Sequence, residues 1–305
     1  MDSSMHLRNR VSRPGLWLVL VIFTGVIATG CAAKIKTEPF KAYADANRKL
    51  QQASDDSLKM AYEWSMSSFA RRVQDSKDSI LGLMLLPDAN DPFGWTAPSN
   101  KAALPLKVAA FRVGVNSLNR SLVQYADLLM QLASNELISS KQFDQMAGDL
   151  NGNVKQAFSS FGKPPGGSSV ALFSAAAMAA AQQYIESKRR GHLVDALRSN
   201  QKEIESAAGL GKEAARIMAA VMRQEYNDES AELARKPSVE SLLKLDERYI
   251  GQMQVLRSLY DTYDQLPVAH QQLSASLESD SAQLGQIQAL YDSAKRIQSL
   301  YANLK

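Results

Sequence analysis

Between Phe40 and Leu81 the chain contains neither glycine nor proline. Its apolar residues recur there mostly at threes and fours or their sums: Phe40, Tyr43, Leu50, Ala53, Ala61 and Trp64, then, after a phase slip, Phe69, Val73, Ile80 and Leu83. That spacing draws one face of a helix. Thr37-Glu38-Pro39 supplies a start, with a capping hydroxyl, an early acid and a proline in the first turn. A helix over about 38–82 would be roughly 65 Å long. One apolar stripe of that length calls for neighbours of similar length, and the first expectation is a bundle of long helices.

The following segments agree. A loop over 87–100 holds Pro87, Pro92, Pro98 and Gly94. Val108, Phe111, Val115, Leu118, Leu122, Tyr125, Leu129 and Leu132 then predict a helix over about 104–134. Ser139 and Gln142 offer a capping box for a helix over about 140–161, striped by Phe143, Met146, Leu150, Val154, Ala157 and Phe161. Gly162-Lys163-Pro164-Pro165-Gly166-Gly167 is the strongest punctuation and a possible subdivision point.

Residues 170–181 are apolar nearly all round and too short to span a bilayer, which takes roughly 20 residues. They read as the tightly packed centre of the bundle, with at least one of Ala176 and Ala180 pointing inward. Leu193, Leu197, Ile204, Ala207 and Ala208 continue the helical pattern, with Gly209 and Gly211 as a bend. Ala214, Ile217, Met218 and Val221 carry it on towards Pro237. Ser238 reads as an N-cap for a helix marked by Leu242, Leu245, Tyr249, Met253, Leu256, Tyr260, Tyr263 and Leu266, which Pro267 should kink or break. The last segment is the most coiled-coil-like, through Leu273, Leu277, Leu284, Ile287, Tyr291 and Ala294 to Tyr301, interrupted at Asp280. Its partner helix is expected within the same chain. No stretch alternates like a strand. The predicted fold is all-α, an elongated bundle of about five to seven long amphipathic helices over 38–305.

The start of the chain reads differently. Arg8, Arg10 and Arg13 precede about a dozen mostly apolar residues from Leu16 to Ile27. Small residues then lead to Cys31, the only cysteine in 305 residues. Basic region, short apolar core and small-residue site make a secretory signal. With Thr29-Gly30-Cys31, and Ala28 where leucine is usual, it resembles the bacterial lipoprotein signal and its lipobox. The resemblance covers the first 31 residues only. It implies removal of residues 1–30, a thioether-linked lipid on Cys31, and a short tether over 31–37 reaching about 20 Å at most. It places the protein in the bacterial cell envelope. With two membranes in the host, Ala32 in place of the aspartate usual for inner-membrane retention favours the outer one.

Cysteine usage and charge then exclude several classes. A chain whose one thiol is lipidated has no intramolecular disulfide, thiolate metal site or thiol nucleophile left. The full sequence carries 35 basic and 31 acidic residues. Without the three arginines and one aspartate upstream of Cys31 the balance is 32 to 30, so the charge gives no argument for nucleic acid. His192 and His270 lack partners at zinc-helix spacing and read as surface or helix-end residues. Asp55-Asp56, and Glu278 with Asp280, read as solvated helix faces. No phosphate loop, nucleophile elbow or di-iron spacing is present. The expectation is a protein that is not an enzyme, with no catalytic, metal or cofactor residues.

What remains points to contact. Phe93 and Trp95 sit in the loop, as a cap on the core or as an exposed aromatic tip. Lys188-Arg189-Arg190 is the densest basic cluster, a solvated helix turn or a contact to acidic groups. The function expected is a lipid-anchored helical interaction or scaffold module with an envelope protein partner. The alternative is a membrane-active bundle using residues 170–181.

Overall fold

The computed structural model describes residues 35–75, 104–134, 138–159, 171–235, 238–279 and 284–304, all within one compact unit, Ile35–Lys305. Among them are eight helices and no strand: α1 (Glu38–Asp75), α2 (Leu104–Ala133), α3 (Ser140–Ser159), α4 (Ala175–Ser187), α5 (Arg190–Ser199), α6 (Gln201–Leu233), α7 (Val239–Glu278) and α8 (Gly285–Ala302). The protein is an all-α bundle of long helices. α1 is its shared wall, packing against α2, α6, α7 and α8, while α6 and α7 form a long hairpin.

The expected spans of α1, α2 and α3 hold over the described residues. The tail of the first predicted helix beyond Asp75 lies outside them. The capping box at α3 forms: Gln142 N–H donates to Ser139 Oγ, and Ser139 N–H donates to Gln142 Oε1 at 3.1 Å. Ser238 caps α7 by accepting from Ser241 N–H. Within α3 the buried stripe is Phe143, Ala147, Leu150 and Val154, while Met146 is 40 % exposed. The core takes small Ala147 one step along instead, where α2 lies close. Ala157 lies within α3, while Phe161 of that stripe and the loop at 162–167 are outside the described residues.

Four expectations are corrected. The helix after residue 190 breaks at Asn200, between α5 and α6, and continues without interruption through Gly209 and Gly211. Gly211 serves packing: a Cβ there would stand 2.3 Å from the Tyr263 ring of α7. Pro267 lies inside α7, which continues to Glu278. Leu266, Ala269, His270 and Leu273 around it are buried, so burial on both sides outweighs the one backbone bond proline lacks. The coiled-coil-like seam is divided between two helices. Leu273 and Leu277 close α7, Ile287, Ala294 and Tyr301 line α8, and the two helices pack on each other and on α1.

The alanine segment is the fourth. α4 lies beside α5 and α3 rather than at the centre. Ala177 and Ala181 are its buried pair, Ala176 is exposed and Ala180 is half-buried against the core. Its phase is set upstream. Leu172 and Phe173 are buried, and Ser174 caps the helix by accepting from Ala177 N–H. Two asparagines hold this entry: Asn151 Nδ2 donates to the Phe173 carbonyl while Phe173 N–H donates to Asn151 Oδ1, both at 2.9 Å. Ser174 N–H donates to Asn200 Oδ1 at 2.9 Å, and Asn200 Nδ2 donates to the Leu172 carbonyl.

The buried residues divide into two sections. The proximal one, nearest Ile35, gathers Tyr43, Tyr125, Phe143, Phe173 and Leu273. The distal one gathers Trp64, Phe111, Met218, Leu259 and Tyr263. Tyr43 and Trp64, one in each, lie 21 residues apart on α1, about 31 Å along the helix.

Candidate functional site

Each section holds a polar cluster. In the proximal one His270 is 1 % exposed, not at a surface or helix end as its isolation in sequence suggested. Its Nδ1 lies 2.8 Å from Gln201 Oε1 and its Nε2 lies 2.7 Å from the Tyr125 hydroxyl. An amide oxygen only accepts, so Nδ1 carries the proton and Nε2 accepts from Tyr125. Burial lowers the imidazole to about 3. Burial likewise raises the hydroxyls of Tyr43 and Tyr125. The cluster is neutral, enclosed and closed to substrate. Its role is to fix α2, α6 and α7 against one another.

The distal cluster is charged and borders solvent. Glu229 of α6, 12 % exposed, accepts from Arg71 Nη1 at 2.8 Å, Arg248 Nη2 at 2.7 Å and Trp64 Nε1 at 3.0 Å. Burial alone would raise its carboxyl, but Arg71 and Arg248 outweigh that and hold it below the ordinary glutamate range. The Arg248 guanidinium lies 4.4 Å over the Trp64 ring. Tyr226 and Tyr249 stack beside them at 4.4 Å. Next to this cluster a groove of about 220 Å³ is lined by Met60, Trp64, Arg248, Gln252, Tyr301 and Leu304.

From there α7 presents its other face outward. Val239, Leu243 and Ile250 are 74 %, 62 % and 55 % exposed. Spaced by four and seven, they share one side of the helix. Further along, α6 and α7 enclose a second groove of about 470 Å³, floored by Ala215, Ala219, Met253, Leu256 and Tyr260, with Arg216 and Arg257 on its two walls.

The residues singled out in the sequence are not brought to these places. Cys31, Phe93 and Trp95 lie outside the described residues. Lys188, Arg189 and Arg190 form the turn between α4 and α5, not a turn within one helix. Lys188 has φ of 51° as the C-cap of α4, Arg189 is the N-cap of α5 and Arg190 its first residue. The Lys188 ammonium lies 5.3 Å over the Tyr184 ring. Asp55 is not simply solvated: it accepts from Arg112 and Asn116 of α2 at 2.8–3.1 Å. Burial would raise its carboxyl, but Asn116 and Arg112 prevail and lower it. Glu278 pairs with Arg198.

Glu229, Arg71 and Arg248 escaped sequence reading because they meet across 158 and 19 positions. The one local signal was Trp64, a large ring with a polar N–H in a stripe of smaller residues. Among the described residues no three His, Cys, Asp or Glu side chains gather at metal-binding spacing, and no helix is long and apolar enough to cross a membrane. No known family, curated protein or solved structure matches this chain.

Proposed function

We propose that the chain is a lipid-anchored envelope lipoprotein, tethered through Cys31, that works as a helical interaction module. The observation that carries the contact role is the outward apolar face of α7. Three large side chains exposed on one helix face make a surface for another macromolecule rather than scattered exposure. This face lies level with the distal section, far along α1 from Ile35, so a bundle tethered at its other end would hold it away from the bilayer. The anchor reading rests on the signal and lipobox residues alone.

The hydrogen bonds around 172–174 support the same reading over the membrane-active alternative. A segment used for insertion would have to release Leu172 and Phe173 from the core and break both asparagine clamps. The test has two parts. Cys31→Ser should abolish lipid labelling and release the protein from membranes. A photo-crosslinking residue in place of Leu243 should form an adduct in intact cells, and one in place of Gln183, exposed on α4 away from this face, should form less. Lipid labelling that survives Cys31→Ser sinks the anchor, and the absence of any Leu243 adduct sinks the contact face.

A further inference from the structure

We infer that the partner of the α7 face is a second copy of this chain, docked antiparallel about a two-fold axis near Ile250. The inference rests on the interaction-module reading above and names its partner. A two-fold interface must be self-complementary, with a knob and its socket on the same molecule. α7 carries both. Its N-terminal half projects Val239 and Leu243, 62 % exposed in the case of Leu243. Beyond Ile250, its middle turns border the apolar groove at Met253, Leu256, Arg257 and Tyr260. Ile250, between them, is itself exposed. With the axis at Ile250, position 243 of one copy faces position 257 of the other, and 247 faces 253. Leu243 therefore arrives at the groove, over the small side chains of Ala215 and Ala219.

Charge follows the same symmetry. Glu240 and Glu247 are exposed beside the knob, while Arg257 and Arg216 wall the socket. In the antiparallel register Glu247 of each copy comes within a helical turn of the other copy's Arg257. Within one copy the nearby pairs Lys244–Glu240 and Arg257–Asp261 are exposed on both sides. Pairs of that kind hold weakly and re-pair at little cost. The same docking also brings Lys244 towards the other copy's Asp261.

The experiment uses the full chain with its anchor, in detergent and in cells. Cys31 is the only native cysteine, so Ile250→Cys adds a thiol at the axis and the parent chain is the control. We expect a disulfide-linked species of twice the chain mass from Ile250→Cys and none from the parent. We expect a dimer by light scattering that Leu243→Glu weakens by about tenfold or more. Glu247→Arg and Arg257→Glu should each weaken it by about tenfold, and the double swap should recover most of that loss, because opposed charges set register. The helical circular-dichroism spectra of all five variants should match the parent. A monomeric chain without Ile250→Cys linkage overturns the second copy. If the Leu243 crosslinker then captures a different envelope protein, the interaction reading stands without self-association; if it captures nothing, both fall. A dimer that the charge swaps leave unchanged overturns the antiparallel register and with it this assignment.

Discussion

The two sections of the core bury polar groups by opposite means. The proximal section encloses a neutral triad, Gln201–His270–Tyr125, within aromatic rings: Phe173 lies 4.9 Å from Tyr125, and Tyr43 6.0 Å from His270. In the distal section Glu229 gathers two guanidinium groups and an indole N–H around its carboxylate, and both arginines are 40 % exposed. An enclosed neutral triad gives fixed geometry with no charge to solvate. A charge cluster at a boundary tolerates water and leaves adjacent surface available. The structure thus separates a half with an enclosed neutral cluster from a half with grooves and an exposed apolar face, and the proposed contact role rests on the second.

The largest effect that would sharpen this contrast is at Glu229. Glu229→Ala removes the acceptor shared by Arg71, Arg248 and Trp64. Breaking a fully buried pair costs about 3–5 kcal/mol. With both arginines partly in water the expected loss here is about 2–3 kcal/mol, read by chemical denaturation. Glu229→Gln keeps an acceptor for Trp64 and should lose less. If Glu229→Ala melts like the parent, the distal section is not held by charge.

The second effect is in pH. His270 is held neutral when folded, at about 3, against about 6.5 when unfolded. The unfolded chain therefore binds more protons below pH 6.5. The stability from burying the neutral ring is fully present above pH 6.5 and is lost as pH falls towards 3. The slope is about 1.4 kcal/mol per unit well inside that window, or about 2.5 kcal/mol by pH 4.5. Glu229 and Asp55, both lowered, contribute stability present above the ordinary carboxylate range and lost only as pH falls below it. Acid should thus loosen the proximal section first. His270→Gln should flatten the slope between pH 6.5 and 4.5. An equal slope in that variant would show that the proximal triad does not govern it.

The third effect separates two neighbours on α4. Ala177 is buried and Ala176 exposed. Ala177→Leu should cost about 1–3 kcal/mol through overpacking, and Ala176→Leu about 0.5 kcal/mol or less. Equal costs would mean that α4 sits in another phase.

These examples show which features can be read along the chain. The starts of α1, α2 and α3, the Ser139–Gln142 box and the Ser238 cap are local, set by residues within one turn, and they were legible. Tyr125 and His270 meet across 145 positions, and Arg71 and Glu229 across 158; no local spacing encodes either pair. Pro267 does not end α7 because a local rule met burial on both sides of it. Asn200 gave no warning because its break depends on the backbone at 172–174, which it holds from 26 to 28 residues away. Leu243 and Ile250 fit a helix but carry no mark of exposure, since an apolar side chain reads alike whether a neighbour covers it or not.

The smallest effect tests whether boundary charges hold the distal section as a set or only at Glu229. Asp55 joins α1 to α2 through Arg112 and Asn116, with its side chain 42 % exposed and that of Arg112 28 %. Water competes at both ends, so the pair belongs with surface ion pairs of about 0.2–1 kcal/mol. Asp55→Asn keeps an acceptor for Arg112 and Asn116 but removes the charge. The expected loss is about 0.5 kcal/mol at low salt, shrinking as ionic strength passes 0.5 M, where screening shortens the range of charge interactions to a few ångströms. Glu229→Ala, whose cost comes from donors left without an acceptor, should keep most of its loss in the same salt. A parallel collapse of both losses with salt would make the whole distal section electrostatic in character. Separate salt responses would confine that description to Asp55 and mark Glu229 as a hydrogen-bonding centre that happens to be charged.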